Sequence, residues 1–251
     1  MGTNITSARI KKFPRDESFD GDFKIEGLKW YPYVGKDFTK NKVRIMVFAH
    51  NVPVHPDYFD KESKRREPKD TWADALDEYA YEHDPDTKAF RYFVKGTVGL
   101  TEDYFEESPA DITRKVDAFV SKISYINFIQ GLVKSEAKSV IAPDVQIELS
   151  KKVNREILKF LGITHCICWG KEVYKYVRCL TGFKTVSETA LEKSGFSSCS
   201  LDVGDGRIMH CLRVYHPSMP SFGSFSPTTH SIISRFLNLE LNPSPSVDKK
   251  I

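Results

Sequence analysis

The chain has 251 residues, 40% hydrophobic, 28% charged and 12% aromatic, a profile that excludes collagen-like, disordered and membrane-embedded classes. Its formal charge of only +3 admits a nucleic-acid partner but excludes a histone-like, charge-driven binder. Five cysteines without a CxxC pair, no run of about 18 apolar residues and no apolar leader after Met1 predict an intracellular protein with reduced thiols and no membrane partner.

Residues 1–42 read as an N-terminal extension. Its cluster Leu28, Trp30, Tyr31 and Tyr33 is expected to pack on the core, because large apolar surfaces are costly to leave wet. Val43 to Ala49 is apolar and β-branched, the pattern of a strand, and ends in the turn-like His50-Asn51-Val52-Pro53. The run Lys61 to Lys69 breaks periodicity and predicts a solvated loop, with Lys64-Arg65-Arg66 as a solvated face. Asp70 caps an expected helix whose Trp72, Leu76 and Tyr79 share a face. Residues 84–108 are mixed, and 109–121 predict a helix carrying Ile112, Val116 and Phe119.

Residues 123–129 predict a second strand. From Asp144 to Leu161 an apolar residue recurs every four positions, at Val145, Leu149, Val153, Ile157 and Leu161, and Gly162 stops this helix. Residues 163–169 predict a third strand, with Cys166 and Cys168 as core. Gly170 turns the chain into a helix bearing Val173, Val177 and Leu180. After a polar stretch, 207–214 predict a fourth strand and 228–238 a last helix. Residues 242–251 read as a frayed tail. With no internal repeat or linker, 43–241 read as one domain. Strand and helix alternate, which predicts a parallel sheet covered on both faces.

In such a sheet the strand C-termini share one edge, where ligands bind. Asn51, Asn127, Gly170 and His216 each fall at or near such an end. The loop after His216 is about ten residues long, beyond the usual two to six, and loops of that kind tend to hold something. His50 and His55 have no third ligand at metal-binding spacing, so no metal is expected. The turn after the first strand is not glycine-rich, which argues against a phosphate loop for a free nucleotide.

Four motifs in order resemble the uracil-DNA glycosylase superfamily over roughly residues 43 to 237. Ala49-His50-Asn51-Val52-Pro53 resembles the first motif, Gly-x-Asn-Pro-Gly in two branches, without its glycines and with the proline displaced. Ile126-Asn127-Phe128 resembles the strand whose asparagine reads the flipped base. Cys168-Trp169-Gly170-Lys171 resembles the strand followed by Gly-Lys and a helix. His216-Pro217-Ser218 resembles the His-Pro-Ser-Pro motif, with Met219 for the second proline. The resemblance implies a three-layer α/β/α sandwich around a four-stranded parallel sheet. It also implies a cofactor-free, metal-free, monomeric glycosylase that flips a uracil or related base out of single- or double-stranded DNA.

The roles it implies suit the residue chemistry. His216 donates to the charge that develops on the departing base. Asn127 offers a donor and an acceptor to the edge of uracil. Asn51 holds the attacking water but has no basicity to deprotonate it. Phe90, Tyr92 or Phe93 stacks on the base. Met219 or Phe222 wedges into the duplex. Ser218 and Ser221 meet phosphates, with Gly170 and Lys171 also on the DNA side. The alternative is a catalytically weak or inactive member that binds nucleic acid or a protein, which the altered first motif favours.

Overall fold

The structure, a computed structural model, describes residues 14–19, 23–50, 52–54, 88–99, 109–134, 142–191, 196–223 and 226–237. The charged run 61–69, the helix expected from Asp70 and the tail 242–251 lie outside the described residues, as does Asn51. The strands among them are β1 (Tyr33–Val34), β2 (Ile45–Ala49), β3 (Val52–Val54), β4 (Ile123–Asn127), β5 (Leu132–Lys134), β6 (His165–Trp169), β7 (Lys184–Leu191), β8 (Phe196–Asp202) and β9 (Ile208–Val214). The α-helices are α1 (Lys88–Val98), α2 (Pro109–Val120), α3 (Asp144–Phe160), α4 (Lys171–Arg178) and α5 (Pro227–Leu237).

The main sheet runs β1-β4-β2-β6-β9-β8-β7. Its central strands β4, β2, β6 and β9 are all parallel, in register Ala49 to Asn127, Ile45 to His165 and Trp169 to Val214. β1, β8 and β7 pair antiparallel. The fold is therefore mixed α/β, with a mostly parallel sheet flanked by helices.

The expected four-stranded sheet is corrected to seven strands. β1 is only two residues long, too short to leave a periodic signal, and it comes from the N-terminal extension. β7 and β8 occupy the stretch read as polar. Their Ser and Thr content hides the strand pattern, although Phe196, Cys199 and Leu201 of β8 are buried. Asp205, flanked by Gly204 and Gly206, turns β8 into β9 with φ 56°, and Gly204 donates to the Asp202 carboxylate at 2.8 Å. β7 is an open edge. A register shift between Thr185 and Ser187 bulges it, a device that discourages further strand pairing.

Strand register assigns side chains to faces. Tyr125, His165 and Trp169 face one side, where Phe90 meets Tyr125, Phe93 meets Trp169 and Phe236 meets His165. Helices α1, α2 and α5 pack on one another there. Phe48, Cys166 and Cys168 face the other side, under α3 and α4. Trp30 and Tyr33 of the N-terminal segment are buried in the same core.

Two properties of the core have measurable consequences. His165 is fully buried and its Nε2 has no hydrogen-bond partner among the described residues; burial and the neighbouring His210 push its pKa down to about 4. Below its ordinary value of about 6.5 the unfolded chain takes up a proton that the folded chain refuses. Stability from this group is complete above that value and is lost as pH falls toward 4. Urea titrations should show about 2 kcal/mol less stability at pH 5 than at pH 7 from His165 alone, a difference that shrinks in His165→Gln.

Cys166, Cys168, Cys199 and Cys211 are buried together, with the sulfurs of Cys166 and Cys168 3.6 Å apart. Burial raises the thiol pKa of Cys166 and of Cys168. Cys179 is exposed. Ellman's reagent should therefore titrate Cys179 rapidly in the native protein and the other four only on unfolding. Fast reaction of a second thiol would contradict this packing.

Candidate functional site

The site lies at the C-terminal edge of the parallel strands. The chain leaves β2 toward α1 and β6 toward α4, on opposite faces of the sheet. The adjacent ends of β2 and β6 are therefore a topological switch point, where open α/β sheets form a crevice. His50 follows β2, Gly170 follows β6, and His216 lies two residues beyond β9.

The loop after β4 is tightly held. Phe128 and Ile129 donate to the carbonyls of Ala49 and His50 at 2.8 and 2.9 Å. β3 and β5 then pair in parallel, so the two chains leave the sheet together. From α3, Asn154 Nδ2 donates to the Phe128 carbonyl at 2.6 Å, and Ser150 Oγ accepts from Gln130 N at 2.9 Å. Gln130, itself buried, donates to the Asn127 carbonyl at 3.3 Å and accepts from Lys29 N. Asn127 ends β4 at 4% exposure on the face of Tyr125 and Trp169. The Asn127 carbonyl is thus held by Gln130, and the loop that follows it is held by α3 and by the end of β2.

His216 is half-buried. Its ring stands edge-on to Trp169, at 5.8 Å between centroids. Nδ1 lies 2.7 Å from Ser218 Oγ and 3.4 Å from Ser218 N. A backbone N–H can only donate, so Nδ1 is the acceptor and the neutral ring carries its proton on Nε2. Nε2–H is the ring's remaining donor. Burial, and then His50, lower the His216 pKa, which keeps the ring neutral near pH 7. Met219 N closes the turn onto the His216 carbonyl at 2.8 Å. Ser218, expected on phosphate, orients His216 in this structure while remaining exposed.

Gly170 has φ 90° and donates to the Val214 carbonyl at 2.8 Å, joining the ends of β6 and β9. A side chain would find space there, so the backbone angle is what demands glycine. Lys171 opens α4 and is exposed, as are Met219 and Ser221.

The aromatic expectations need correction. Phe90 and Phe93 are 4% and 0% exposed and pack on Tyr125 and Trp169, so neither ring is presented to a base. Their spacing with Thr97 along α1 is that of a helix's inward face, the signal that assigns them to the core. Tyr92 is partly exposed. Phe222 is fully buried against Phe93, and its carbonyl accepts from Thr229 Oγ1 at 2.6 Å. It is an anchor of the loop, not a wedge. Met219 of the same loop is 53% exposed.

The sequence offers His50 only as a metal ligand, paired with His55. In the structure it stacks on Tyr176, which lies against Phe128. Burial lowers the His50 pKa, and the carboxylate of Glu172 partly opposes this. Among the described residues no group of three or more His, Cys, Asp or Glu side chains could hold a metal, and no helix is long and apolar enough to cross a membrane. A cleft of about 250 Å³ lined by Lys151, Lys152 and Arg155 lies elsewhere, and none of the site residues lines it.

Compared with protein-family models and with curated proteins, the chain matches none.

Proposed function

We propose that this chain is a DNA glycosylase that removes uracil or a related base, built on an α/β/α layering like that of the uracil-DNA glycosylase superfamily. One observation carries the reading most: His216-Pro217-Ser218 leaves the last parallel strand with Nε2–H as its free donor, at the same sheet edge as the buried Asn127.

In this mechanism a flipped base enters the crevice at the strand ends. The amide of Asn127 pairs with O4 and N3–H of uracil. As the glycosidic bond lengthens, negative charge grows on the base oxygen and positive charge on the sugar. His216 Nε2–H stabilises the former where it develops. Asn51 orients the water, Met219 fills the vacated stack, and Lys171, Ser218 and Ser221 lie on the backbone side.

The test is incubation with labelled single- and double-stranded DNA carrying one uracil, followed by alkaline cleavage of abasic sites. Strand scission at the uracil supports the reading, and intact DNA in both forms opposes it. In an active protein, Asn127→Asp should change base selectivity, because the side chain loses the amide donor toward uracil O4 and gains acceptor character. Unchanged relative rates on uracil and cytosine substrates would remove Asn127 from base reading.

The altered first motif favours a second reading, a protein of this fold that binds DNA or a protein partner without cleaving it. Binding of uracil-containing DNA without base release distinguishes it.

A further inference from the structure

We propose that Gln130 is a positioning residue for Asn127: its side-chain amide extends the pairing of β1 with β4 to the strand end, and so fixes where the Asn127 side chain meets a base. The inference rests on the glycosylase reading above.

A glutamine is costly to bury, because its amide must find the partners that water would otherwise supply. Gln130 is 2% exposed, and both ends of its amide are bonded. β1 is two residues long and meets β4 at Ser124 and Tyr125, short of Asn127. Past that pairing, Gln130 links the two chains. Its Nε2 donates to the Asn127 carbonyl at 3.3 Å. Its Oε1 accepts from Lys29 N at 3.2 Å and from Trp30 N at 3.5 Å, in the chain that leads into β1.

Gln130 is itself held by α3. Its backbone N–H donates to Ser150 Oγ at 2.9 Å, and its carbonyl accepts from Gln146 Nε2 at 3.0 Å. Ser150 Oγ donates in turn to the Gln146 carbonyl at 2.6 Å. Ser150 is fully buried, so these bonds are made away from water. A bonded network of this kind in a buried setting is stiff. It runs from α3 through Gln130 to the last residue of β4.

The consequence is one of distance. The Asn127 amide tells uracil from cytosine only when it stands within hydrogen-bond reach of the base edge. Misplacing a group by about 1 Å in such a site costs on the order of a hundredfold in rate. Gln130 acts through Asn127 and not on the base itself.

The experiment measures kcat and KM on DNA carrying one uracil, and the preference for uracil over cytosine, for the full chain, Gln130→Met and Gln130→Glu. Methionine keeps the length of the side chain and removes the amide. Glutamate keeps oxygen acceptors for Lys29 and Trp30 and removes the donor to Asn127. Both variants should lower kcat about tenfold to a hundredfold and narrow the preference for uracil. Thermal denaturation sets the assay temperature at which each variant is folded. A glutamine that only stabilises the fold would lower the melting temperature and leave kcat and base preference as in the parent. That result in either folded variant, with kcat and preference within threefold of the parent, overturns the proposal and leaves the glycosylase reading standing. NMR of the parent supplies a readout that needs neither variant nor activity. The Gln130 side-chain amide should show a proton that exchanges slowly with solvent, and rapid exchange of both its protons overturns the proposal. A parent that releases no base fails the glycosylase reading, and the role of Gln130 in base reading falls with it.

Discussion

On the proposed glycosylase reading, His216→Ala is expected to lower kcat on uracil-containing DNA by about a hundredfold to a thousandfold, the usual cost of removing one donor aimed at transition-state charge. DNA binding should stay nearly unchanged, because in the proposed mechanism the side chain meets charge that is small in the ground state. The loop itself should survive the change. Phe222 is buried beneath it, and the Met219 N–H closes on the backbone carbonyl of residue 216, which alanine retains. Ser218→Ala gives a graded companion. It removes the hydroxyl 2.7 Å from Nδ1 while keeping the backbone N–H that also points there, so it should cost less than the loss of the ring. A His216→Ala protein with parental kcat would show that the strand-end pocket is not where bond cleavage occurs.

Phe93→Ala is expected to destabilise the protein by about 3–5 kcal/mol, the range for removing a buried phenylalanine. Its ring is fully buried and meets Trp169, Phe119 and Phe222. Domains of this size hold only about 5–15 kcal/mol in total, so the midpoint of urea denaturation should fall sharply. The same variant separates two readings of one residue. A ring that stacked on a flipped base would, when removed, raise KM and spare stability. A loss below about 1 kcal/mol with weakened DNA affinity would restore Phe93 to the ligand site.

The parallel strands were legible because each is a short apolar run closed by a turn residue, and burial on both faces demands such runs. Ala49, Asn127, Trp169 and Val214 end them close to the positions that pattern marks. The antiparallel half was hidden for a physical reason. β7 and β8 lie beyond the helix-covered centre, so side chains such as Thr185, Ser187 and Thr189 face solvent and carry no apolar period. The Gly204-Asp205-Gly206 turn announced a hairpin whose strands were too polar to recognise.

At the candidate site, a polar residue inside an apolar strand, Asn127, and a histidine after one, His216, were conspicuous in sequence. The aromatics were not. A phenylalanine reads the same whether it awaits a base or fills a core, and only the helical spacing of Phe90 and Phe93 assigns them inward. His50 was hidden for the opposite reason. Its partner Tyr176 is 126 positions away, and only the crossover onto α4 brings the two rings together.

The most direct measurement of the central claim is release of the free base under single-turnover conditions. Excess protein is mixed with DNA carrying one uracil, and the freed uracil is quantified by mass spectrometry without alkali. The account predicts stoichiometric uracil from the parent, an intact phosphodiester backbone, and release about a hundredfold or more slower from His216→Ala. No free base from uracil or from any other modified-base substrate, with DNA still bound, would contradict it and leave the strand-end crevice as a binding site.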